Sequence, residues 1–144
     1  MANIGTHCIV ELYGCPRGLL NDEEFVKGAV REATDHGLAT LMGEVSHQFH
    51  PHGVTALGLL AESHISIHTW PEHGYAAADI FTCGDRANPQ RASDFLIQKF
   101  QAERHSLTKL VRGPEACLDQ TAAVPGLEVE PIAAPCDAQS PCRT

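Results

Sequence analysis

Between Glu62 and Cys83 the chain reads ESHISIHTWPEHGYAAADIFTC. That run holds a hydroxyl at Ser63, imidazoles at His64, His68 and His73, and a thiol at Cys83. A hydroxyl becomes a nucleophile once a base takes its proton, and imidazoles and thiols exchange protons near neutral pH. Taken singly, each has an ordinary reading: a serine that starts a strand, a satisfied strand histidine, a buried inert cysteine. Asp79 could complete a serine–histidine–acid set, but there is no G-x-S-x-G elbow to present the serine as a hydrolase does.

Histidines at 47, 50, 52, 64, 68 and 73 also raise the question of a metal. On a strand His64 and His68 share a face yet stand ~13 Å apart, too far to share an ion. His50 and His52 are closer, but they flank a proline turn. No metal site is expected.

These side chains need elements to hold them. HCIVELYGC (7–15) is a β-branched, partly alternating run closed by Gly14 and Pro16, and predicts a first strand. Asn21 followed by Glu24 has the form of a capping box, and Phe25, Val26, Ala29, Val30 and Ala33 recur at helical spacing up to Gly37. Strands follow over 38–49 and 53–62, joined at HPHG, and SHISIHTW (63–70) alternates Ile65 and Ile67 against His64, Ser66 and His68. PEHG turns the chain into a strand over 75–83, Asn88-Pro89 opens a second helix, and 105–113 closes the series as a strand. The order β-α-β-β-β-β-α-β predicts an α+β fold, an antiparallel sheet with two helices packed on one face in a two-layer sandwich. The domain is expected over 1–113. From Pro114 the composition shifts to Ala, Pro, Glu and Gln, and 114–144, with Cys136 and Cys142, is expected to be a loosely ordered tail.

A hairpin centred near Glu72 pairs positions that sum to about 145, so residue 63 faces 81–83 and Cys83 is expected beside Ser63. His68 is different. A regular strand carries it ~17 Å from Ser63 and onto the other face, and the two meet only if the chain bends or breaks near Glu62-Ser63.

The run ESHISIHTWPEHGYAAADIFTCG, with FHPHGVT (49–55) ahead of it, resembles the core of the prokaryotic S-adenosylmethionine decarboxylase proenzymes, a short pyruvoyl-dependent family. The likeness spans roughly residues 5–112. It implies self-cleavage between Glu62 and Ser63 into a β chain, 1–62, and an α chain, 63–144. In such a cut the Ser63 hydroxyl attacks the preceding carbonyl, and β-elimination of the resulting ester leaves a pyruvoyl group made from Ser63. The resemblance implies His68 as the processing base and Cys83 as the acid that returns a proton to the substrate α-carbon. The pyruvoyl carbonyl would form a Schiff base with the amine of S-adenosylmethionine and act as electron sink. Thr55 stands where the family pattern has Ser and keeps the hydroxyl for a supporting role. Phe49 and His68 are expected to stack on adenine and Glu72 to accept the ribose hydroxyls, while His50 and His52 match no family role. The implied assembly is a dimer of cleaved protomers, (αβ)₂, and the implied product is the aminopropyl donor for spermidine synthesis.

Composition agrees with a small-molecule enzyme. A net charge of -8 with no Lys/Arg cluster argues against nucleic acid, and no run of apolar residues is long enough for a membrane span. Without a visible signal peptide the six cysteines read as thiols and the location as cytoplasmic. Lys27, Lys99 and Lys109 all lie away from the histidine-rich strands, which disfavours pyridoxal phosphate. Two rivals remain: an arginine or ornithine decarboxylase on the same fold, and a catalytically silent homologue that activates a partner.

Overall fold

The computed structural model describes residues 4–114. In chain order these form β1 (Gly5–Tyr13), α1 (Arg17–Leu20), α2 (Glu23–His36), β2 (Leu41–Gln48), β3 (Val54–Leu60), β4 (Ser63–Trp70), a 3₁₀ turn (Pro71–His73), β5 (Tyr75–Cys83), α3 (Pro89–Lys99) and β6 (Arg104–Arg112). The α+β architecture is the expected one, with the one-turn α1 and the 3₁₀ turn added. Six antiparallel strands lie in the order β2-β3-β4-β5-β1-β6, so the first strand of the chain is wedged between β5 and β6.

Alternation decides what each face buries. Val10, Leu12, Val54, Ala56, Leu60, Ile65, Ile67, Ala76, Ala78 and Ile80 point to one side, where Val26, Ala29, Val30, Ala33, Ala92, Leu96 and Phe100 of the helices close over them. Gly58 lets α2 approach the sheet: a Cβ there would stand 2.7 Å from Ile65 Cγ2 and 2.8 Å from Val30 Cγ1. The opposite face has no helix on it among the described residues. It carries His7, Glu11, His64, Ser66, His68, Asp79, Phe81 and Cys83, with Val45 at 61% and Leu59 at 62% exposure.

The helix starts illustrate how local signals compete. Asn88 caps α3 as expected, accepting from the Arg91 N–H at 3.2 Å, with Pro89 in the first turn. For α2 the cap is Asp22 rather than Asn21, and its carboxylate accepts from the Phe25 N–H at 3.0 Å. Asn21 instead ends α1, and its side-chain oxygen takes the Gly53 N–H and the Gln48 amide, both at 3.0 Å. The short α1, which no periodic run announces, displaces the cap by one residue.

No described helix is long and apolar enough to cross a membrane. The expected tail, with Cys136 and Cys142, lies outside the described residues from position 115 onward.

Candidate functional site

The Glu62–Ser63 bond lies at the end of a two-residue turn. Leu60 pairs with Ser63, so Ala61 and Glu62 alone reverse the chain between β3 and β4. The turn is pinned from outside: the Ala61 N–H donates to Thr40 O at 2.9 Å, and the Glu62 carboxylate accepts from the Thr40 N–H at 3.0 Å. The backbone bond from Thr40 holds the Glu62 carboxyl below its usual range despite some desolvation. Ser63 has φ 153°, a region an L side chain rarely occupies and that costs about 1–3 kcal/mol. The carbonyl of Glu62, the atom group a Ser63 hydroxyl would attack, accepts from the Cys83 N–H at 2.9 Å. A donor in that position polarises the carbonyl and steadies an oxyanion forming there.

The hairpin reading needs one adjustment. Ser63 pairs with Thr82, not with Cys83, in keeping with the sum of 145. Alternation gives Thr82 to the helix side, where it is buried, and Cys83 to the open face, where it is partly exposed. What reaches the turn from residue 83 is thus its backbone, while the thiol lies one step along on the open face.

The other candidates gather at the far end of β4. The chain does turn at Ala61-Glu62, but Ser63–Trp70 is regular beyond that point and pairs without a break with both neighbours. His68 is therefore five residues, ~17 Å, from Ser63. Its Nδ1 meets Thr55 Oγ1 at 3.0 Å, which leaves Nε2 for another group. Phe49, 46% exposed, precedes β3 and meets His47 edge-on at 4.7 Å. Gly53, at φ 108°, folds that loop against the 3₁₀ turn, and His52 Nε2 reaches Glu72 at 3.0 Å. At this end Thr55 meets His68 and His52 meets Glu72, with Phe49 in the loop before β3, whereas Glu62, Ser63 and Cys83 lie at the other end. Within a single chain the two ends do not meet.

A third group was not foreseen as a unit. His7 of β1 and His64 of β4 flank β5 and converge on one oxygen of Asp79, at 2.7 and 2.8 Å. Ser66 donates to the other oxygen. Burial alone would raise the Asp79 carboxyl, but the bonds from Ser66, His64 and His7 outweigh it and hold it below the usual range. His64 Nδ1, on the far side of its ring, lies 3.3 Å from Ser63 Oγ. The donor atoms of His7, His64 and Asp79 all lie within 4.8 Å of one another, close enough to hold a metal ion. Pairing histidines within single strands could not find this set, because His7 joins it across a strand that comes much later in the chain. The available signal was the hairpin register, which puts Asp79 beside Ser66 and one step from His64.

Above this group the open face of β2–β4 forms a groove of about 520 Å³, lined by Val45, Leu57, Leu59 and His64 among others.

Comparison with known proteins gives matches at the level of family and fold. The profile described as S-adenosylmethionine decarboxylase matches residues 6–113. A Prochlorococcus marinus (strain MIT 9313) protein named S-adenosylmethionine decarboxylase proenzyme is 50% identical over 115 residues, 80% of this chain and 92% of that one. An Archaeoglobus fulgidus protein of the same name is 46% identical over 110 residues, 76% of this chain and 98% of its own. In the crystal structure of the adenosylmethionine decarboxylase from Aquifex aeolicus the backbone superposes with a TM-score of 0.74 at 37% identity, covering 78% of this chain and 93% of that one.

Proposed function

Because this chain belongs to the S-adenosylmethionine decarboxylase family, we propose that it is a proenzyme that cuts itself between Glu62 and Ser63 and then decarboxylates S-adenosylmethionine. The observation that carries the cut is the Glu62 carbonyl held on the Cys83 N–H at the end of a two-residue turn, beside a serine at φ 153°. Scission relieves that backbone, since the strained dihedral exists only while residue 63 keeps its peptide bond to Glu62. These residues suit a pyruvoyl group at position 63, whose carbonyl supplies the sink for the electrons released with carbon dioxide.

The remaining roles belong to side chains. The Cys83 thiol, on the open face next to the cut, returns a proton to the substrate α-carbon. Phe49 and His68 offer flat faces to adenine, and Glu72, oriented by His52, accepts the ribose hydroxyls. Since His68 is ~17 Å from Ser63 in its own chain, it acts on the Ser63 of a second copy. A twofold-related partner laid antiparallel on the open face brings the His68 end of each β4 to the Ser63 end of the other. The exposed Val45, Leu57 and Leu59 give such a dimer apolar surface to bury. The product is the decarboxylated aminopropyl donor used for spermidine.

Intact-mass analysis tests the first half of this reading and carbon dioxide release the second. The purified protein should separate into chains 1–62 and 63–144, the latter blocked to Edman sequencing, and should release carbon dioxide from S-adenosylmethionine. A chain that stays whole after long incubation would refute the processing assignment. Release from arginine or ornithine in place of S-adenosylmethionine would refute the substrate alone.

A further inference from the structure

We propose that Ser63, His64 and Asp79 form a proton relay in which His64 is the base that activates the Ser63 hydroxyl for the first step of the cut. The inference rests on the self-cleavage proposed above and assigns its opening proton transfer to a residue other than His68.

The geometry determines the state of the ring. Asp79 is ionised and can only accept, so His64 Nε2 at 2.8 Å must carry a hydrogen and donate it. A neutral imidazole with its hydrogen on Nε2 has a bare lone pair on Nδ1. That atom lies 3.3 Å from Ser63 Oγ, a separation of the kind that shortens as a reacting complex forms. Asp79 is itself held by Ser66 on one oxygen and by His7 Nε2, 2.7 Å away, on the other. Arg112 stands 3.4 Å from the remaining nitrogen of His7. Ser66, His7 and Asp79 are positioning residues, and only His64 touches the reacting oxygen. His68 is bonded to Thr55 at the opposite end of the strand and has no part in this network.

The step balances within the chain. Oγ of Ser63 bonds to the Glu62 carbonyl carbon as its proton passes to His64 Nδ1, giving an imidazolium opposite the Asp79 carboxylate. The carbonyl oxygen takes the negative charge and leans on the Cys83 N–H. When the Glu62 C–N bond breaks, the imidazolium returns its proton to the departing Ser63 nitrogen, leaving an ester and a free amine. The later β-elimination removes the Cα hydrogen of residue 63. It needs a different base, and His68 of a second copy is free for it.

Hydroxylamine separates the two steps, because it cleaves the ester but leaves the original amide intact. Freshly refolded full-length wild type should cut itself, at the same rate with or without EDTA. His64→Gln, which can still donate to Asp79 but offers no basic nitrogen, should fold and cut about a hundredfold or more slowly. It should yield no 1–62 fragment with hydroxylamine. Adding Ser63→Cys, whose thiol ionises with far less help, should restore a hydroxylamine-sensitive break to within about tenfold of Ser63→Cys alone. Should His64→Gln not fold, Asp79→Asn carries the same readouts. Cutting at the wild-type rate in the folded variant would overturn the relay, as would an accumulating ester, which would put His64 after the acyl shift. A requirement for a divalent ion would overturn it in favour of a metal at His7, His64 and Asp79. A wild type that never cuts would instead sink the processing assignment on which the relay rests.

Discussion

Replacing Asp79 with asparagine, in a Ser63→Ala background that keeps the chain whole, isolates the carboxylate at the centre of the open face. Asp79 accepts from Ser66, His64 and His7 and its side chain is 27% exposed. Asparagine keeps one acceptor oxygen and turns an NH₂ group toward at least one of those donors. A donor left facing another donor in a half-buried site costs about 1–3 kcal/mol, so unfolding free energy at neutral pH should fall by that amount. The folded carboxyl titrates below its unfolded value, so its contribution is fully present above pH ~4 and is lost as pH falls through the folded pKa. As the pH falls through the folded pKa of Asp79 the gap between variant and parent must close. Urea unfolding at fixed protein concentration, at pH 7, 5 and 3, measures it. A gap under about 0.5 kcal/mol at pH 7, or one unchanged at pH 3, would refute the claim that the three donors depend on a charged acceptor.

Three further outcomes follow from the site. Cys83→Ala should leave the cut largely intact, because the bond to Glu62 comes from the backbone, while decarboxylation falls at least about a hundredfold; normal turnover in the cleaved variant would remove the thiol from the reaction. Phe49→Ala should weaken use of S-adenosylmethionine by ~1–3 kcal/mol in kcat/KM, the worth of one stacking face, and a value near wild type would take Phe49 out of the pocket. Co-refolding Ser63→Ala with His68→Ala should produce cut chains derived only from the His68→Ala parent, since that chain keeps its own Ser63 and borrows a histidine; if mass analysis finds none, the site is not shared between copies.

Much of this was legible because local chemistry and tertiary structure agree along β3–β5. Pro71 and Gly74, the latter at φ 59°, make the turn that sets Trp70 opposite Tyr75, and the rest of the register follows by counting. A sum of 145 sets Thr82 opposite Ser63; the sequence places the centre of the turn only to within a residue, which leaves Cys83 a candidate for the place that Thr82 holds. His7 was out of reach for another reason. Its strand is first in the chain yet pairs with β5 and β6, and no periodicity within 5–13 encodes that insertion. Asp79 reads as an acid in the sequence, but the hydrolase elbow is the wrong pattern for a serine presented by a hairpin turn. The Asn21–Asp22 offset arose because two short elements compete for one capping residue.

The place of β1 has a consequence for the molecule once severed. The β chain would own β1, β2 and β3, and the α chain β4, β5 and β6. Yet β1 lies between two strands of the other piece, and β3 is laced to β4. Three ladders would then join separate polypeptides, so neither piece can leave without tearing the sheet along several seams. Renaturation is another matter. Once melted, the pieces must find each other by diffusion, and the serine that once linked them no longer exists. The mature protein would therefore persist by the slowness of its unfolding rather than by a reversible balance, and its working life would be a rate.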